Sequence, residues 1–398
     1  MSEGGLFGGI LGRGRAAAEV SDRAWLQAML DVEAALARAQ ATAGVVDAAH
    51  AERIAAACDA GRYDVDALGA EAADSATPVI ALVRALREQV GADAAGDVHR
   101  GATSQDVVDS AAMLVARRAT APLLDDLAAA ADAAARLADE HRATPMAGRT
   151  LLQQAVPTTF GLKAAGWLVA LDEASVRLVA VRDTRLAAQL GGAAGTLAAL
   201  GDAGPDVLAR FAGELGLTEP VLPWHTDRTR IAELAGALAG ACGVAAKVAR
   251  DVTLLAQTEV AEVREGGEER GRSSAMAHKR NPVAAVSALA AARQAPGLAA
   301  TLLAAMEQEH ERAAGAWQAE WRALTELLRA TGSAAAWLRE LLERLEVDPE
   351  RMRANIDERT LAERLSADEV RRLLDPASYV PAASALVDRA LRAHRELR

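Results

Sequence analysis

Aromatic residues are scarce in this sequence of 398 residues. Six Trp, three Phe and two Tyr make up 3% of the chain, whereas Ala and Leu are abundant. Aromatic and β-branched side chains are the ones that strands favour, and Ala and Leu are strong helix formers. The composition therefore predicts an all-α protein with few or no sheets.

Cysteine and positive charge are also limited. Cys58 and Cys242 lie far apart and form neither a CxxC pair nor a disulfide framework, which favours a reducing cytoplasm and two small core side chains. The net charge is −11, from 44 Lys and Arg against 55 Asp and Glu. Phosphate binding needs an excess of basic residues, so a nucleic-acid partner is not expected. An anionic ligand would have to meet a local basic cluster.

Signals for export, membranes and bound groups are missing. The first nine residues are rich in glycine and include an acid, and the apolar tracts 187–201 and 286–306 are short or interrupted. Neither a secretion signal nor a membrane span is predicted, which favours a cytoplasmic protein. HExxH, GxxxxGK and GxSxG motifs are absent, and Cys and His are not clustered, so we expect no metal and no cofactor. His50, His141 and His394 are expected at the surface.

Helical periodicity divides the chain into three regions. Ser21 precedes a run with apolar residues every three or four positions, and the glycine-rich stretch 91–101 ends this first part. A succession of long amphipathic helices fills 105–345, and a short helical tail follows. Ala and Gly along the long helices are compatible with a core shared between subunits, with a monomeric bundle as the alternative. We predict an N-terminal helical domain (1–97), a central long-helix bundle carrying the active-site regions (98–345) and a short C-terminal helical domain (346–398).

Polar residues interrupt the helical pattern first at 99–106. Thr103 lies three residues before Asp106, a spacing typical of a capping box at a helix start. The free N–H groups of a helix N-terminus also bind carboxylates. Thr103, Ser104 and Gln105 therefore either cap the helix only or hold an anion.

Two further polar segments follow. In 148–159, Arg149 and two glutamines on an otherwise apolar approach to a helix bind either a ligand or only the backbone. Thr158 and Thr159 at the end of this segment are potential N-caps of that helix. The segment 271–282 is basic, carries two serines and is predicted to be a mobile loop, with Asn281 and Pro282 as N-cap and first residue of the next helix. Such a loop can close over an anion, and a solvated basic loop is the alternative.

The segment 271–282 resembles the signature loop of the fumarase/aspartase superfamily, usually written GSSxMPxKxNP. The matching residues are Ser273, Ser274, Met276, Lys279, Asn281 and Pro282. The two earlier polar segments occupy the places of that superfamily's other active-site regions, in the right order. The stretches 151–159, 223–226 and 309–317 further resemble the branch of cycloisomerases that act on 3-carboxy-cis,cis-muconate. Like these cycloisomerases, the chain lacks the His that fumarases and adenylosuccinate lyases carry at the position of Leu151.

The resemblance implies a three-domain fumarase/aspartase-like fold with a long central helical bundle shared in a homotetramer, in which three subunits build each site. It also implies that 3-carboxy-cis,cis-muconate and 4-carboxymuconolactone are interconverted, in the protocatechuate branch of the β-ketoadipate pathway, without a cofactor. The implied substrate is a small tricarboxylate. By the same resemblance, Ser273 is expected to take the proton-transfer role, with Lys279 stabilising its alkoxide. The implied substrate-binding residues are Thr103, Ser104, Gln105, Thr150, Gln153, Ser274, Met276, His278, Asn281 and Arg312.

Three departures from the family pattern leave alternatives open. In the loop, Arg272 replaces Gly and Ala277 replaces Pro, and after Asn355 the chain is shorter than the family by several helices. The alternatives to a cycloisomerase are another lyase of the superfamily, such as an adenylosuccinate-lyase-like enzyme, and a structural homologue with impaired catalysis. We expect neither a nucleic-acid nor a membrane partner.

Overall fold

A computed structural model describes residues 6–267, 271–273, 275–276, 279–356, 366–374 and 381–397. These residues form α-helices joined by short connections, together with two antiparallel two-stranded sheets. The predicted all-α class is confirmed. The division into three domains stays a prediction.

The N-terminal part of the fold is helical. They are α1 (Gly8–Leu11), α2 (Asp22–Thr42), α3 (Ala48–Ala57), α4 (Val65–Ser75) and α5 (Val79–Val90). Ser21 caps α2, because its Oγ accepts a hydrogen bond from the Ala24 N–H at 3.2 Å, as the sequence predicts. α2 packs against α3, and α3 and α4 pack against α5.

Long helices and three shorter ones form a central bundle. They are α6 (Ser104–Glu140), α7 (Phe160–Thr184), α8 (Gly204–Leu215), α9 (Thr229–Leu255), α10 (Val283–Ala292), α11 (Ala295–Ala304) and α12 (Ala316–Glu343). α6 has 37 residues and, at 1.5 Å per residue, is about 55 Å long. It packs against α7 and α12, while α9 packs against α7, α10, α11 and α12. The apolar faces of these helices meet in one core, so the predicted central bundle is confirmed.

α9 is apolar over much of its length. By length and composition alone it is able to cross a membrane, a feature that the sequence patterns had not singled out. In the fold its apolar stripe is buried inside the bundle. Cys242 lies on this stripe, where burial raises the pKa of its thiol to about 11, and burial raises the pKa of Cys58 to about 12. Both cysteines are core residues, as predicted.

Two small sheets and three helices complete the fold. β1 (Pro145–Thr150) and β2 (Gln153–Thr159) form a hairpin between α6 and α7, and β3 (Val263–Glu265) pairs with β4 (Leu345–Val347). The C-terminal helices are α13 (Pro349–Ala354), α14 (Ala367–Leu374) and α15 (Pro381–Glu396). α13 packs against β1, α14 against β2, and α15 against α6 and α7. Thr159 caps α7 as predicted, accepting from the Leu162 N–H at 3.2 Å.

His394 fastens α15 to the bundle. Its Nδ1 lies 3.0 Å from an Asp172 oxygen on α7, and its Nε2 lies 3.0 Å from an Asp132 oxygen on α6. The residue is only 7% exposed. The expected surface position of His394 is therefore wrong, because two carboxylates from neighbouring helices hold both ring nitrogens.

A cluster of polar and charged side chains, the Arg228 cluster, is buried beside the start of α6. The Arg228 guanidinium donates two hydrogen bonds to the Asp109 carboxylate, at 2.9 and 3.0 Å, and two to the Glu320 carboxylate, at 2.9 and 2.5 Å. Trp317 Nε1 and Gln105 Nε2 also donate to Asp109. Buried carboxylates are stable only when they are paired and hydrogen-bonded. The cluster therefore fixes α6, α12 and the start of α9 relative to one another.

Replacing Arg228 with Ala is expected to destabilise the fold strongly. The change leaves two buried carboxylates without their cation, and removing one partner of a buried ion pair costs about 3–5 kcal/mol. Denaturant unfolding should show a lower midpoint. Arg210→Ala on α8 is the matched control, because Arg210 makes an exposed i,i+4 pair with Asp206, and its loss should leave the midpoint nearly unchanged. Equal midpoints for the two variants would contradict the importance of the cluster.

Candidate active site

The first polar segment lies at the N-terminus of α6. Thr103 is the N-cap residue, and its N–H donates to the Asp106 carboxylate at 2.9 Å, so the predicted helix start is confirmed. The Thr103 hydroxyl accepts a hydrogen bond from Arg312 Nη1 at 3.1 Å. Ser104 follows as the first helical residue and is partly exposed. Two of the predicted residues, Thr103 and Arg312, thus meet at a helix end whose dipole and free N–H groups suit a carboxylate.

Gln105 differs from its neighbours because its side chain points into the protein. It is fully buried, and its Nε2 donates to the Asp109 carboxylate at 3.1 Å and to the His225 carbonyl at 2.7 Å. The first of these contacts belongs to the Arg228 cluster. Gln105 therefore supports the helix N-terminus from behind, and its direct contact with a substrate stays a prediction.

The second polar segment forms the tip of the β1–β2 hairpin, which the sequence did not predict. Leu151 and Leu152 make a two-residue turn with φ values of 52° and 64°, a conformation that Asn and Gly adopt more readily. Their side chains are 97% and 75% exposed. Thr150 and Gln153 pair across the turn and are exposed. These two predicted residues therefore lie together at an outward-pointing tip.

A partly buried ion pair holds the hairpin to the rest of the fold. Arg149 donates two hydrogen bonds to the Glu262 carboxylate, at 2.6 and 3.0 Å. Glu262 is fully buried, and Asn355 Nδ2 donates to the same carboxylate at 2.9 Å. Like Arg228, Arg149 is committed to a buried acid and acts as an anchor of the fold.

The third polar segment is the signature loop, residues 271–282, and it is closed at its base. The Gly271 carbonyl accepts hydrogen bonds from the Asn281 N–H at 2.9 Å and from its Nδ2 at 3.1 Å. The prediction that Asn281 caps α10 is wrong, because this side chain bonds Gly271 and the following proline takes the N-cap position. The Glu265 carboxylate instead accepts from the N–H groups of Ala284 and Ala285, at 3.0 and 2.9 Å.

Ser273 lies in this loop with its hydroxyl oxygen facing backbone donors. Its Oγ accepts hydrogen bonds from the N–H groups of Ala275, at 3.3 Å, and Met276, at 3.2 Å. Donors aimed at a hydroxyl oxygen favour its deprotonated form. The side chains of Met276 and Lys279 are exposed. Ser274 and His278, which the resemblance also implies, lie outside the described residues.

The three segments make their contacts separately within one chain. In the part of the chain that the structure describes, no hydrogen bond of Thr103 or Ser273 reaches either of the other two segments. Over the same residues, no group of three or more His, Cys, Asp or Glu side chains has the arrangement of a metal site. These hydrogen bonds therefore do not join the predicted residues of the three segments within one chain.

Two buried residues near the first segment, Asp106 and His225, form a pair that sequence patterns do not reveal. His225 Nε2 lies 2.7 Å from Asp106 Oδ1, and the residues are 4% and 1% exposed. They are 119 positions apart in the chain, a separation that leaves no periodic signal. The sequence pattern indicates only a capping role for Asp106, and it marks His225 only as part of the stretch 223–226.

The chain is similar in sequence and in structure to several known proteins. Residues 13–297 match the lyase family. A 3-carboxy-cis,cis-muconate cycloisomerase from Bradyrhizobium diazoefficiens is 50% identical over 376 residues, covering 91% of this chain and 83% of that protein. A nitrosuccinate lyase from Streptomyces davaonensis is 45% identical, covering 95% and 94%. The crystal structure of the 3-carboxy-cis,cis-muconate lactonizing enzyme from Pseudomonas putida superimposes with a TM-score of 0.90 at 39% identity, covering 98% of this chain and 99% of that one.

The helical bundle and its three polar segments define a lyase of the fumarase/aspartase superfamily, and the chain belongs to this lyase family. Within it, the chain belongs to the branch of the 3-carboxy-cis,cis-muconate cycloisomerases. The resemblance drawn from the signature loop and its companion stretches is thereby confirmed.

Gly271→Ala is expected to open the base of the signature loop. Gly271 has a positive φ of 68°, and an added Cβ would lie 2.2 Å from the Asn281 carbonyl oxygen, so the two hydrogen bonds between these residues cannot both remain. Trypsin should then cleave the folded protein several-fold faster after the basic residues of this loop. Gly213→Ala on α8 is the matched control, because its Cβ meets open space. Similar cleavage rates for both variants would argue against a loop held at Gly271.

Proposed function

We propose that the chain catalyses the interconversion of 3-carboxy-cis,cis-muconate and 4-carboxymuconolactone, a step in the degradation of aromatic compounds. The observation that carries this proposal is the 50% identity with a protein named for the reaction. Leu151 adds support, since leucine cannot shuttle the proton that a histidine there would. The proposed enzyme is cytoplasmic, takes a small tricarboxylate and uses no cofactor.

The proposed chemistry is an intramolecular elimination and its reverse. In one direction, a base removes the proton from the carbon next to a substrate carboxylate while the ring C–O bond of the lactone breaks and a free carboxylate leaves. In the other direction, that carboxylate adds to the double bond and the proton returns. Negative charge builds up on the adjacent carboxylate in the transition state, so fixed N–H donors and cations around it lower the barrier. The N-terminus of α6 with Arg312 is one such group, and Lys279 and Asn281 are others.

Ser273 is the proposed base and acid. A serine hydroxyl is a weak base unless its alkoxide is stabilised, and the N–H groups of Ala275 and Met276 already point at its oxygen. The Lys279 ammonium follows in the same loop. When the loop excludes water, these electrostatic contributions become larger. The proposed substrate contacts come from Thr103, Ser104, Thr150, Gln153, Ser274, Met276, His278, Asn281 and Arg312.

Elimination from nitrosuccinate is a second candidate activity. The nitrosuccinate lyase of S. davaonensis is 45% identical across 95% of this chain, and elimination of its nitro group also requires proton removal beside a carboxylate. One assay series separates the two activities. Loss of ultraviolet absorbance follows 3-carboxymuconate, and nitrite release follows nitrosuccinate. Turnover of the first substrate alone supports the proposal, whereas turnover of nitrosuccinate alone overturns it.

Three subunits of a homotetramer complete each site in this proposal. In the described part of one chain, no hydrogen bond of Thr103 or Ser273 joins its segment to either of the other two, which is compatible with a site that several copies complete. The outer face of α9 supports such packing, because Gly236 and Gly240 face open space and small residues let helices approach closely. Exposed apolar side chains on α10 and α11 also favour contact with another copy. They are Val286 and Leu303, each 53% exposed.

The hairpin tip gives separate support for assembly. A non-glycine turn with two positive φ values persists only where its surroundings hold it, and two exposed leucines at its tip form a surface that contact with another copy would cover. Thr150 and Gln153 flank this turn. The same contact would therefore carry both predicted residues to a neighbouring subunit.

Ser273→Ala is expected to lower kcat by roughly 10² to 10⁴, the usual contribution of a positioned acid or base. KM should change little, because the hydroxyl is not the main anion-binding group. Initial rates of absorbance loss give both constants. Ser175→Ala is the matched control, since the Ser175 hydroxyl bonds the Leu171 carbonyl within its own helix. An unchanged kcat in the Ser273 variant would falsify the assignment.

Leu151→Asn combined with Leu152→Gly is expected to weaken the tetramer. Asn followed by Gly adopts a turn with two positive φ values without strain. The hairpin therefore keeps its shape while the two exposed leucines are lost. Sedimentation equilibrium should show species of lower mass, and turnover should fall in parallel, with an unchanged helical circular dichroism signal. Leu386→Asn on α15, at a side chain that is 47% exposed, is the control. A turn variant with full mass and full turnover would show that the tip makes no subunit contact.

A further inference from the structure

The Asp106 carboxylate closes a ring of hydrogen bonds behind the N-terminus of α6. It is nearly unexposed and accepts two hydrogen bonds on each oxygen. Oδ2 accepts from the N–H groups of Thr103 and Gly192, both at 2.9 Å. Oδ1 accepts from the Gly191 N–H at 2.9 Å and from His225 Nε2 at 2.7 Å. The carboxylate thus ties the start of α6 to the 191–192 loop and to His225.

Arg312 holds the same two segments from another side. Its Nη1 donates to the Thr103 hydroxyl at 3.1 Å, and its Nη2 donates to the carbonyls of Gly192 and Ala193 at 3.3 and 2.8 Å. Thr103 and Gly192 are therefore each held twice, by Asp106 through a backbone N–H and by Arg312 through an oxygen. A guanidinium has five N–H donors. In the described chain three are used here, which leaves two for a ligand.

His225 fixes the remaining side of the ring. A Cβ added at Gly191 would lie 2.8 Å from its Cε1, so the imidazole packs directly against the loop. Because the Asp106 carboxylate can only accept, Nε2 of His225 carries the hydrogen. The His225 carbonyl also accepts from the Gln105 amide at 2.7 Å. His225 therefore acts on the site through Asp106 and the loop.

We propose that Asp106 and His225 are positioning residues that aim the Arg312 guanidinium at one carboxylate of the substrate. The inference rests on the proposed function for the substrate class, a polycarboxylate, and deepens it by naming what orients the binding group. Charge-assisted hydrogen bonds depend on geometry. Residues that never touch the ligand set this geometry when they lock the group that does.

The test is a double-mutant cycle on tricarboxylate binding. Citrate is the probe, and calorimetry gives its Kd for the unmodified protein, His225→Leu, Arg312→Leu and the double variant. Each single change should weaken binding roughly 10- to 100-fold, the effect of losing a charge-assisted hydrogen bond. Both changes remove the same oriented guanidinium, so the double variant should bind no more weakly than Arg312→Leu. Additive losses, normal binding by His225→Leu, or no citrate binding by the unmodified protein would each overturn the proposal.

Two further variants and readouts separate positioning from a general structural role. His225→Gln can again donate to Asp106 and should recover most of the affinity that His225→Leu loses. Hydrogen exchange at the Gly191 and Gly192 amides should accelerate in His225→Leu while the rest of α6 stays protected. Loss of protection throughout the bundle, or no recovery in His225→Gln, counts against positioning.

Turnover of 3-carboxymuconate by the unmodified protein is measured alongside the cycle. If turnover is absent while the citrate losses are non-additive, the proposed reaction fails and the positioning of Arg312 stands. If turnover is present while the losses are additive, the reaction stands and the positioning fails. The two proposals therefore fail in distinguishable ways.

Discussion

The burial of two carboxylates one turn apart on α6 is the constraint on which the rest of the structure depends. Asp106 and Asp109 are 1% and 2% exposed, and buried carboxylates persist only when N–H groups and cations satisfy them. Their partners come from far along the chain and include the Gly191 and Gly192 amides, His225, Arg228 and Trp317. Satisfying both acids at once forces the loop after α7, the start of α9 and the start of α12 to converge on the start of α6.

Because these segments converge, the two halves of the proposed site differ in how they are held. One half is fixed by many buried hydrogen bonds, and the other is joined to the fold by few. The rigid half is the α6 N-terminus with Arg312, backed by the Asp106 ring and the Arg228 cluster. The other half is the signature loop, whose base is closed by the bonds between Gly271 and Asn281. A fixed donor set stabilises developing charge without reorganising, whereas a proton-transfer group on a loop can close after the substrate has bound. In the proposed mechanism, the part of the site that is backed by buried charge therefore stabilises the developing charge. The signature loop supplies the proton-transfer group.

Sequence patterns predicted what depends on near neighbours and missed what depends on distant ones. The caps at Ser21 and Thr159 and the long amphipathic helices are local features, and motif matching found the loop of Ser273. The hairpin was missed because its turn is Leu151-Leu152, with neither Asn nor Gly to mark it. Which arginines are committed to buried acids, and which histidines are drawn inward, depends on residues roughly a hundred or more positions away, as for Arg149 and Glu262 or His394 and Asp172. The hydrophobic periodicity of the sequence carries no information about such pairings.

The placement of buried charge inside one chain also bears on assembly. If three subunits supply one site, each contributes a surface that has to exist before the others arrive, because a ligand that needs all three cannot organise any one of them alone. The Asp106 ring and the Arg228 cluster meet this demand, since every partner named for them belongs to the same chain. On the outer face of α9, by contrast, Gly236 and Gly240 meet open space and have no side-chain rotamer entropy to lose on contact. A site divided among subunits requires that each subunit preforms its own binding surface. It also requires subunit faces that lose little entropy when they meet.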